Sequence, residues 1–342
     1  MHIKPVLVVG GAGYIGSHMV LSLKHAGYFP VVLDNLSKGH RDAVFDAEFV
    51  LGEISDTALL EKLFAKYSFV AVMHFASFIE VSESVRFPLR YYQNNVGTTI
   101  QLLEVMIKHK IRNFIFSSSA AVYGDSSASL IDESQITAPV NPYGKTKWMV
   151  EEILKDLGKS DDINYSILRY FNAAGADPSG KIGEHHQPES HLIPLVLQTA
   201  AGLRSHITIF GNDYPTEDGT CVRDYVHVSD ICHAHLLALN EMINNKKNIT
   251  CNLGTGRGYS VLQVIHAARN ITQKEIPVEF GTRRNGDPAV LVADSTLAMR
   301  ELQWFPQYPE LKTMILHAWS VIARNCHSEE LSSRGVFCRG IS

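Results

Sequence analysis

Short runs of β-branched and apolar residues alternate with longer amphipathic stretches through the first half of the chain. This pattern predicts right-handed strand–helix crossovers that build a parallel sheet. Val6–Val9, Val31–Leu33, Glu48–Leu51, Val70–His74, Asn113–Ser117 and Tyr165–Arg169 read as strands. Helical spacing runs through Ile15–His25, Asp56–Ala65, a long segment from about Val85 to His109, and Tyr143–Leu157. Pro88 marks an early bend in the long segment or the start of its main helix.

After Arg169 the alternation stops. The stretch from Asn172 to Glu189, rich in Gly, Pro, Asp and His, reads as loop, and long ordered loops beside a sheet are usually functional. Order returns with helices expected near His191–Ala201, Ser229–Met242, Leu262–Asn270 and Leu311–Arg324. Short strands are expected at Thr208–Ile209, Tyr225–His227 and Asn248–Asn252. The fold expected is α/β: a doubly wound parallel sheet of Rossmann type with a smaller α/β substrate-binding lobe made of discontinuous C-terminal segments. Residues 1–171, with returning segments at about 225–252, form the dinucleotide-binding unit; 172–224 and about 253–325 form the lobe; the polar, Ser-rich 326–342 is a flexible tail.

Composition narrows the function. With 45% hydrophobic and 19% charged residues among 342, the chain can bury one large core or two joined ones, which excludes disordered and mini-protein classes. Lys+Arg total 31 against Asp+Glu 35, a net charge of -4, without the basic excess of a nucleic-acid binder. No apolar stretch nears the roughly 20 residues that span a bilayer, and Met1 to Pro5 leads straight into an apolar run, so neither a membrane helix nor a signal peptide is expected. Five cysteines without a C-x-x-C pair argue against disulfides and structural zinc and fit a reducing cytoplasm.

Gly10-Gly11-Ala12-Gly13-Tyr14-Ile15-Gly16 follows a strand and opens a helix. In this spacing Gly10 permits the tight turn, Gly13 lets backbone approach a pyrophosphate at the helix N-terminus, and Gly16 lets the helix pack on the strand. Asp34 ends the next strand about 20 residues on, where its carboxylate accepts both hydroxyls of an adenosine ribose and repels a 2'-phosphate, so NAD rather than NADP is expected.

Tyr143 and Lys147 share one face of an amphipathic helix. An ammonium beside a phenol stabilises the phenolate, and a Tyr titrating near about 10 acts as a base at neutral pH only when Lys147 and a cofactor cation pull it down. Ser117, Ser118 and Ser119 end a strand, where a parallel sheet faces its ligand crevice. A hydroxyl there relays a proton to Tyr143. Together these signals suggest reversible alcohol oxidation with NAD.

The motifs VVGGAGYIGSH, HFA (74–76), YYQNNVGT (91–98), FSSSAAVYGD (116–125), NPYGKTK (141–147) and RYFNAAGADPSG (169–180) continue into FGNDYPTEDGTCVRDYVHVSD (210–230), NLGTGRGYSV (252–261) and RRNGDPA (283–289). Over roughly residues 4 to 320 the sequence resembles the extended short-chain dehydrogenase/reductase superfamily and, within it, the UDP-glucose 4-epimerases. The resemblance implies reversible C4 epimerisation of UDP-glucose and UDP-galactose, a step of galactose metabolism, through a 4-keto intermediate with tightly bound NAD+. By position, it makes Tyr143 the base, Lys147 its tuner and ribose ligand, and Ser119 a partner of the sugar hydroxyl. Gly10, Gly13, Tyr14, Ile15, Gly16, Asp34, Asn35, Glu53, Ile54, Phe75, Ala76, Asn94 and Tyr170 would join Tyr143 and Lys147 at the cofactor. Asn172, His191, Leu192, Phe210, Arg223, Arg284 and Asp287 would join Ser119 and Tyr143 at the nucleotide sugar, two Arg suiting a diphosphate and an aromatic face suiting uracil. The resemblance also implies a homodimer through a four-helix bundle of the helices near 95–109 and 143–157, where Leu102, Leu103, Met106, Met149, Val150 and Ile153 serve the seam or the core.

Four positions depart from the family pattern. Glu53 stands for the usual Asp at the adenine, Ile79 for a Lys near the phosphates, and His191 for an Asn. Leu291 stands where a Tyr narrows the sugar pocket in some members and a smaller residue admits N-acetylated sugars in others. Ala120-Ala121, in place of an Asp-Glu pair, disfavours a 4,6-dehydratase. An epimerase of UDP-N-acetylglucosamine, UDP-pentoses or UDP-glucuronate stays open, as does a catalytically silent NAD-binding scaffold. Glu184, His185, His186, Glu189 and His191 lack a familiar zinc spacing, so no metal is expected.

Overall fold

The computed structural model describes residues 4–337 apart from 126, 127, 129, 161, 285 and 286. Its first part runs β1 (Pro5–Val9), α1 (Tyr14–His25), β2 (Phe29–Asp34), β3 (Glu48–Leu51), α2 (Thr57–Lys66), β4 (Ala71–His74), α3 (Val81–Arg86), α4 (Pro88–Tyr91), α5 (Thr98–Lys108), β5 (Asn113–Ser119), α6 (Pro142–Lys159) and β6 (Asn164–Tyr170). Then follow β7 (Asn172–Ala174), α7 (Leu192–Ala200), β8 (Ile207–Phe210), β9 (Val222–His227), α8 (Val228–Asn245), β10 (Ile249–Leu253) and β11 (Gly258–Ser260). The last elements are α9 (Val261–Thr272), β12 (Val278–Gly281), β13 (Val290–Leu291), α10 (Thr296–Leu302) and α11 (Leu311–Phe337).

Seven strands form one parallel sheet in the order β10-β6-β5-β4-β1-β2-β3. Strand order reverses between β1 and β4, which opens a crevice at their carboxyl ends. Helices cover both faces, so β1 is buried along its whole length: Val6 and Val8 enter one core with α1 and α8, and Leu7 and Val9 enter the other with α2, α5 and α6. Leu102, Leu103, Met106 and Val150 are fully or nearly fully buried in that second core, with Ile153 packed against it, whereas Met149 is 40% exposed.

The strands predicted in the first half are all present, each end within two residues of the expected one. The long helix expected from Val85 to His109 is instead broken. Pro88, having no N–H to donate, starts a new helix at α4, and a wide π-helical turn at Tyr92–Gly97 separates α4 from α5. The strand expected at Tyr225–His227, at the start of the segment returning to the large sheet, is the end of β9, which pairs instead with β7, β11 and β13 in a smaller one; the return begins with α8 and ends in β10. The strands β11, β12 and β13 have four residues or fewer, too short to show a period. The polar stretch expected as a tail from 326 continues α11 as helix to Phe337, with 338–342 outside the described residues. Its first turns bury Leu311, Met314 and Ile315 against α7 and α9. Among the described residues no helix is long and apolar enough to cross a membrane.

Candidate active site

The glycine turn lies at the sheet's switch point and is built for close approach. Gly10 has φ +77, and a Cβ on it would sit 2.5 Å from the Ala76 nitrogen; one on Gly16 would sit 2.1 Å from the Gly10 carbonyl oxygen. Either substituent would push the β4 loop or α1 off the turn. Phe75 and Ala76 donate their N–H groups to the Val9 carbonyl, so they close over β1. Gly13 caps α1 with no side chain in the way, leaving the helix N-terminus open to an anion. Tyr14 and Ile15 begin that helix, and the Tyr14 hydroxyl donates to the Gly175 carbonyl at 2.7 Å.

Asp34 is buried at the end of β2, where Ala12 N–H donates to one of its oxygens at 2.9 Å and Leu36 N–H to the other at 2.8 Å. Each oxygen keeps a further lone pair for a ribose hydroxyl. Asn35 donates to Glu53 at 3.0 Å across the ends of β2 and β3, with the half-buried Ile54 beside them. The acid substituted at position 53 thus remains on the expected edge. These donors and the crowded turn fit a dinucleotide with a free 2'-hydroxyl. Asn94 lies in the π turn and donates to Asn95 at 2.9 Å. Ile79 is 38% exposed and brings no charge to this side.

The candidate reaction centre is assembled by the start of α6. Asn141 caps the helix by accepting from Gly144 N–H at 2.9 Å, and Pro142 fixes its first turn. A Cβ on Gly144 would meet the Ala121 carbonyl oxygen at 2.5 Å, so the helix start rests directly on the turn that follows Ser119. Tyr143 therefore meets Ser119. Burial raises the Tyr143 phenol, and its hydrogen bond with the Ser119 hydroxyl acts the other way. Lys147 is 3% exposed, donates to the Ser117 carbonyl at 2.9 Å, and stands 6.0 Å from the Tyr143 ring. Burial lowers its pKa to about 7, against the pull of Glu151. Desolvation thus outweighs the Ser119 hydrogen bond and keeps the phenol above its ordinary value, and the sequence reading makes Tyr143 a base only once a cofactor cation joins Lys147. Tyr170, at the end of β6, is raised by burial and by Tyr143 and hydrogen-bonded to Ser117.

Beneath these groups lies a buried ion pair that sequence reasoning missed. Glu151, one turn beyond Lys147, accepts from Arg169 Nε at 2.9 Å and again from its Nη2, and from the Ser118 hydroxyl at 2.6 Å. Arg169 also donates to the Tyr123 hydroxyl at 2.8 Å, which donates to Asn252 at 2.7 Å. Glu151 is 0% and Arg169 2% exposed. Ser118 adjoins Ser119, Arg169 adjoins Tyr170, and Glu151 follows Lys147, so one pair ties together the three elements that carry the reacting groups. Asn95, also missed, ties the β4 loop to α6 by bonding Phe78 and the Thr146 hydroxyl. A spacing of four between Lys147 and Glu151 was the available signal.

A second cluster forms at the smaller sheets. Arg223 on β9 pairs with Asp287, and Arg284 lies over the Phe210 ring at 4.1 Å. The two arginines, the aromatic face and the carboxylate expected at the nucleotide are thus together, each engaged with another of the set. Asp224, which carries no local signal in the sequence, accepts from the backbone of Thr255, Gly256 and Ala293 and holds the NLGTG loop against β9. The Tyr214 hydroxyl is buried without a hydrogen-bond partner among the described residues, with Arg283 over its ring. Asn172 donates to the Asp224 carbonyl at 2.8 Å, and Leu291 pairs in register with Arg223 and packs against the cluster of Ala120, Val122, Tyr123 and Phe171. His191 caps α7, but its ring is held by Glu184 and Glu189. Burial opposes its charge, yet the two carboxylates raise it to about 10. Leu192 packs into the core of the smaller sheets.

Residues 6–254 match the model described as the NAD dependent epimerase/dehydratase family. The chain belongs to this family. Within it, the chain is 50% identical over 315 residues to a UDP-glucose 4-epimerase of Halalkalibacterium halodurans, covering 92% of this chain and 94% of that one. It is 47% identical to one of Homo sapiens, over 88% and 91%. The crystal structure of UDP-glucose 4-epimerase from Brucella ovis in complex with NAD superposes with TM-score 0.90 at 46% identity, over 92% of this chain and 97% of that one.

Removing one partner of the buried pair is expected to be severe. Glu151→Ala or Arg169→Ala alone should cost about 3–5 kcal/mol of stability, because each strands a charge. Glu151→Leu with Arg169→Met should recover most of that loss in chemical denaturation. A double variant no more stable than the singles would show that the pair does not act as a unit.

Proposed function

We propose that this chain interconverts UDP-glucose and UDP-galactose by inverting C4 of the sugar, with NAD retained throughout. The observation that carries this reading is the meeting of Tyr143, Ser119 and Lys147 at the carboxyl end of the sheet that also carries the glycine turn, with Arg223, Arg284, Asp287 and Phe210 gathered on the smaller sheets. The bacterial and human relatives are UDP-glucose 4-epimerases and the Brucella ovis enzyme crystallised with NAD, which supports it.

Gly10 and Gly13 would admit the pyrophosphate of NAD, with Gly16 packing α1 against the turn, Asp34 would take the adenosine ribose, and Lys147 would reach the other ribose. NAD, when bound, supplies a hydride acceptor and donor and a positive ring. Tyr143, with Ser119 hydrogen-bonded to it, takes the proton from the sugar 4-hydroxyl as the 4-keto sugar forms, and returns it after the sugar has turned. Lys147 and the added positive charge offset the desolvation that keeps the phenol protonated in the free protein. Arg223 and Arg284 exchange their partners within the cluster for the diphosphate, Asp287 takes ribose hydroxyls and Phe210 faces uracil. Holding the nucleotide firmly and the sugar loosely lets the keto sugar present either face. Leu291, between Arg223 and the turn after Ser119, sets the room available at the sugar.

The reading extends to a cytoplasmic homodimer joined through α5 and α6. Ile100 and Met149 remain exposed on these helices, while their other apolar residues are spent on the core. Cys232 and Cys251 are buried thiols, as in a reducing compartment. Sedimentation should give twice the mass of the chain; a monomer at all concentrations would remove the dimer.

Incubating the purified protein with UDP-galactose, without added NAD, should yield UDP-glucose by chromatography with no net NADH. Tyr143→Phe should lower turnover by about 10²-fold or more while leaving NAD bound. No conversion even with NAD supplied, or wild-type turnover in Tyr143→Phe, would contradict the reading.

A further inference from the structure

The loop ahead of α7 gathers four ligating side chains. Glu184, His186, Glu189 and His191 each offer one donor atom, and these atoms lie within 4.8 Å of one another. His191 Nδ1 is 2.8 Å from Glu184 and 3.0 Å from Glu189, and His186 Nδ1 is 3.1 Å from Glu184 and 3.9 Å from Glu189. Donors held about 2.1 Å from a tetrahedral ion stand about 3.4 Å apart. The two histidine distances to Glu184 Oε1, 2.8 and 3.1 Å, lie a little under that value, and the Glu189 carboxylate faces the pair with both oxygens, Oε1 3.0 Å from His191 and Oε2 3.9 Å from His186.

Charge points the same way. The Glu184 and Glu189 side chains are 7% and 4% exposed. Among the described residues no lysine or arginine lies within ion-pair distance of either. In the free protein the His191 ring beside them supplies positive charge, and a divalent ion seated among the four side chains would take over that role while leaving the imidazoles free to act as neutral ligands.

The loop also holds the donors in place. Glu189 accepts from the Ser190 and His191 N–H groups at 2.8 and 2.9 Å. Lys38 donates to the Gln187 carbonyl at 3.3 Å, His40 bonds the His185 carbonyl at 2.9 Å, and the Tyr14 ring meets His186 edge-on at 6.3 Å. The His191 side chain, 42% exposed, leaves a route for an ion. The spacing Glu-x-His-x-x-Glu-x-His matches no familiar zinc motif, so the sequence alone points to no metal. The convergence is made by the fold of the loop.

We propose that Glu184, His186, Glu189 and His191 bind one divalent transition cation of the zinc class. Two imidazoles among four donors suit such an ion better than calcium or magnesium, which take all-oxygen sets. The bound ion would strap the loop across Tyr14, the first residue of the helix that opens at the glycine turn.

The test uses the full-length protein, stripped with EDTA, dialysed and titrated with Co²⁺. One ion per chain is expected, with the visible absorption of a four-coordinate nitrogen–oxygen site and no thiolate charge-transfer band, and Zn²⁺ should displace it. Glu184→Gln and, separately, His186→Gln should each weaken binding about tenfold or more, with circular dichroism unchanged. If one variant fails to fold, the other and the wild-type spectrum still decide. No uptake by the wild-type protein, a thiolate band, or unchanged binding in a folded variant would overturn the proposal; no uptake would leave a hydrogen-bonded clasp only. Because the readout is metal binding, it stands apart from any epimerase assay.

Discussion

Glu151 and Arg169 meet under the ends of β5, β6 and the start of α6, and Ser119, Tyr143 and Lys147 are placed by that meeting. Each is buried and charged, so each requires the other. Their hydrogen bonds reach Ser118, Tyr123 and, through Tyr123, Asn252. A shift of α6 relative to the sheet would leave a charge unpaired in the core. The geometry of Tyr143, Lys147 and Ser119 is thereby made costly to disturb, and preorganisation of this kind is what a proton-transfer site needs.

The two ends of the crevice are held by different physics. At the candidate reaction centre the groups are buried and their partners fixed by strand and helix ends, so burial keeps Tyr143 protonated until further positive charge arrives and lowers the Lys147 pKa to about 7. At the smaller sheets the arginines are paired with a carboxylate and an aromatic ring, contacts that a diphosphate and a uracil can replace. A fixed chemical end and an exchangeable binding end suit a sugar that must turn between two half-reactions.

Much of this was legible in the sequence. The glycine spacing, Asp34 and the alternation of strands with helices predicted the large sheet because strands buried on both faces leave unbroken apolar runs, as at Val6–Val9. Tyr143, Lys147 and Ser119 were legible from spacing and from their place at element ends. What escaped depended on partners distant in the chain. Glu151 reads as an ordinary polar helix position until Arg169 is placed beside it, and Asp224 reads as surface until the Thr255–Gly256 loop returns to it. The π turn at Tyr92–Gly97 has no local residue signature. The strands at Gly258–Ser260 and Val290–Leu291 exist because β9 offers them edges to pair with, and three and two residues carry no pattern of their own.

The central claim is that one fixed set of groups serves both faces of the same sugar carbon, so the hydrogen on C4 leaves and returns within one active site. Supplying UDP-galactose deuterated at C4 and reading the product by mass spectrometry and proton NMR tests this directly. The account predicts UDP-glucose that keeps its deuterium at C4, with none released to solvent. Loss of the label to water, or its replacement by solvent hydrogen at the rate of conversion, would contradict it.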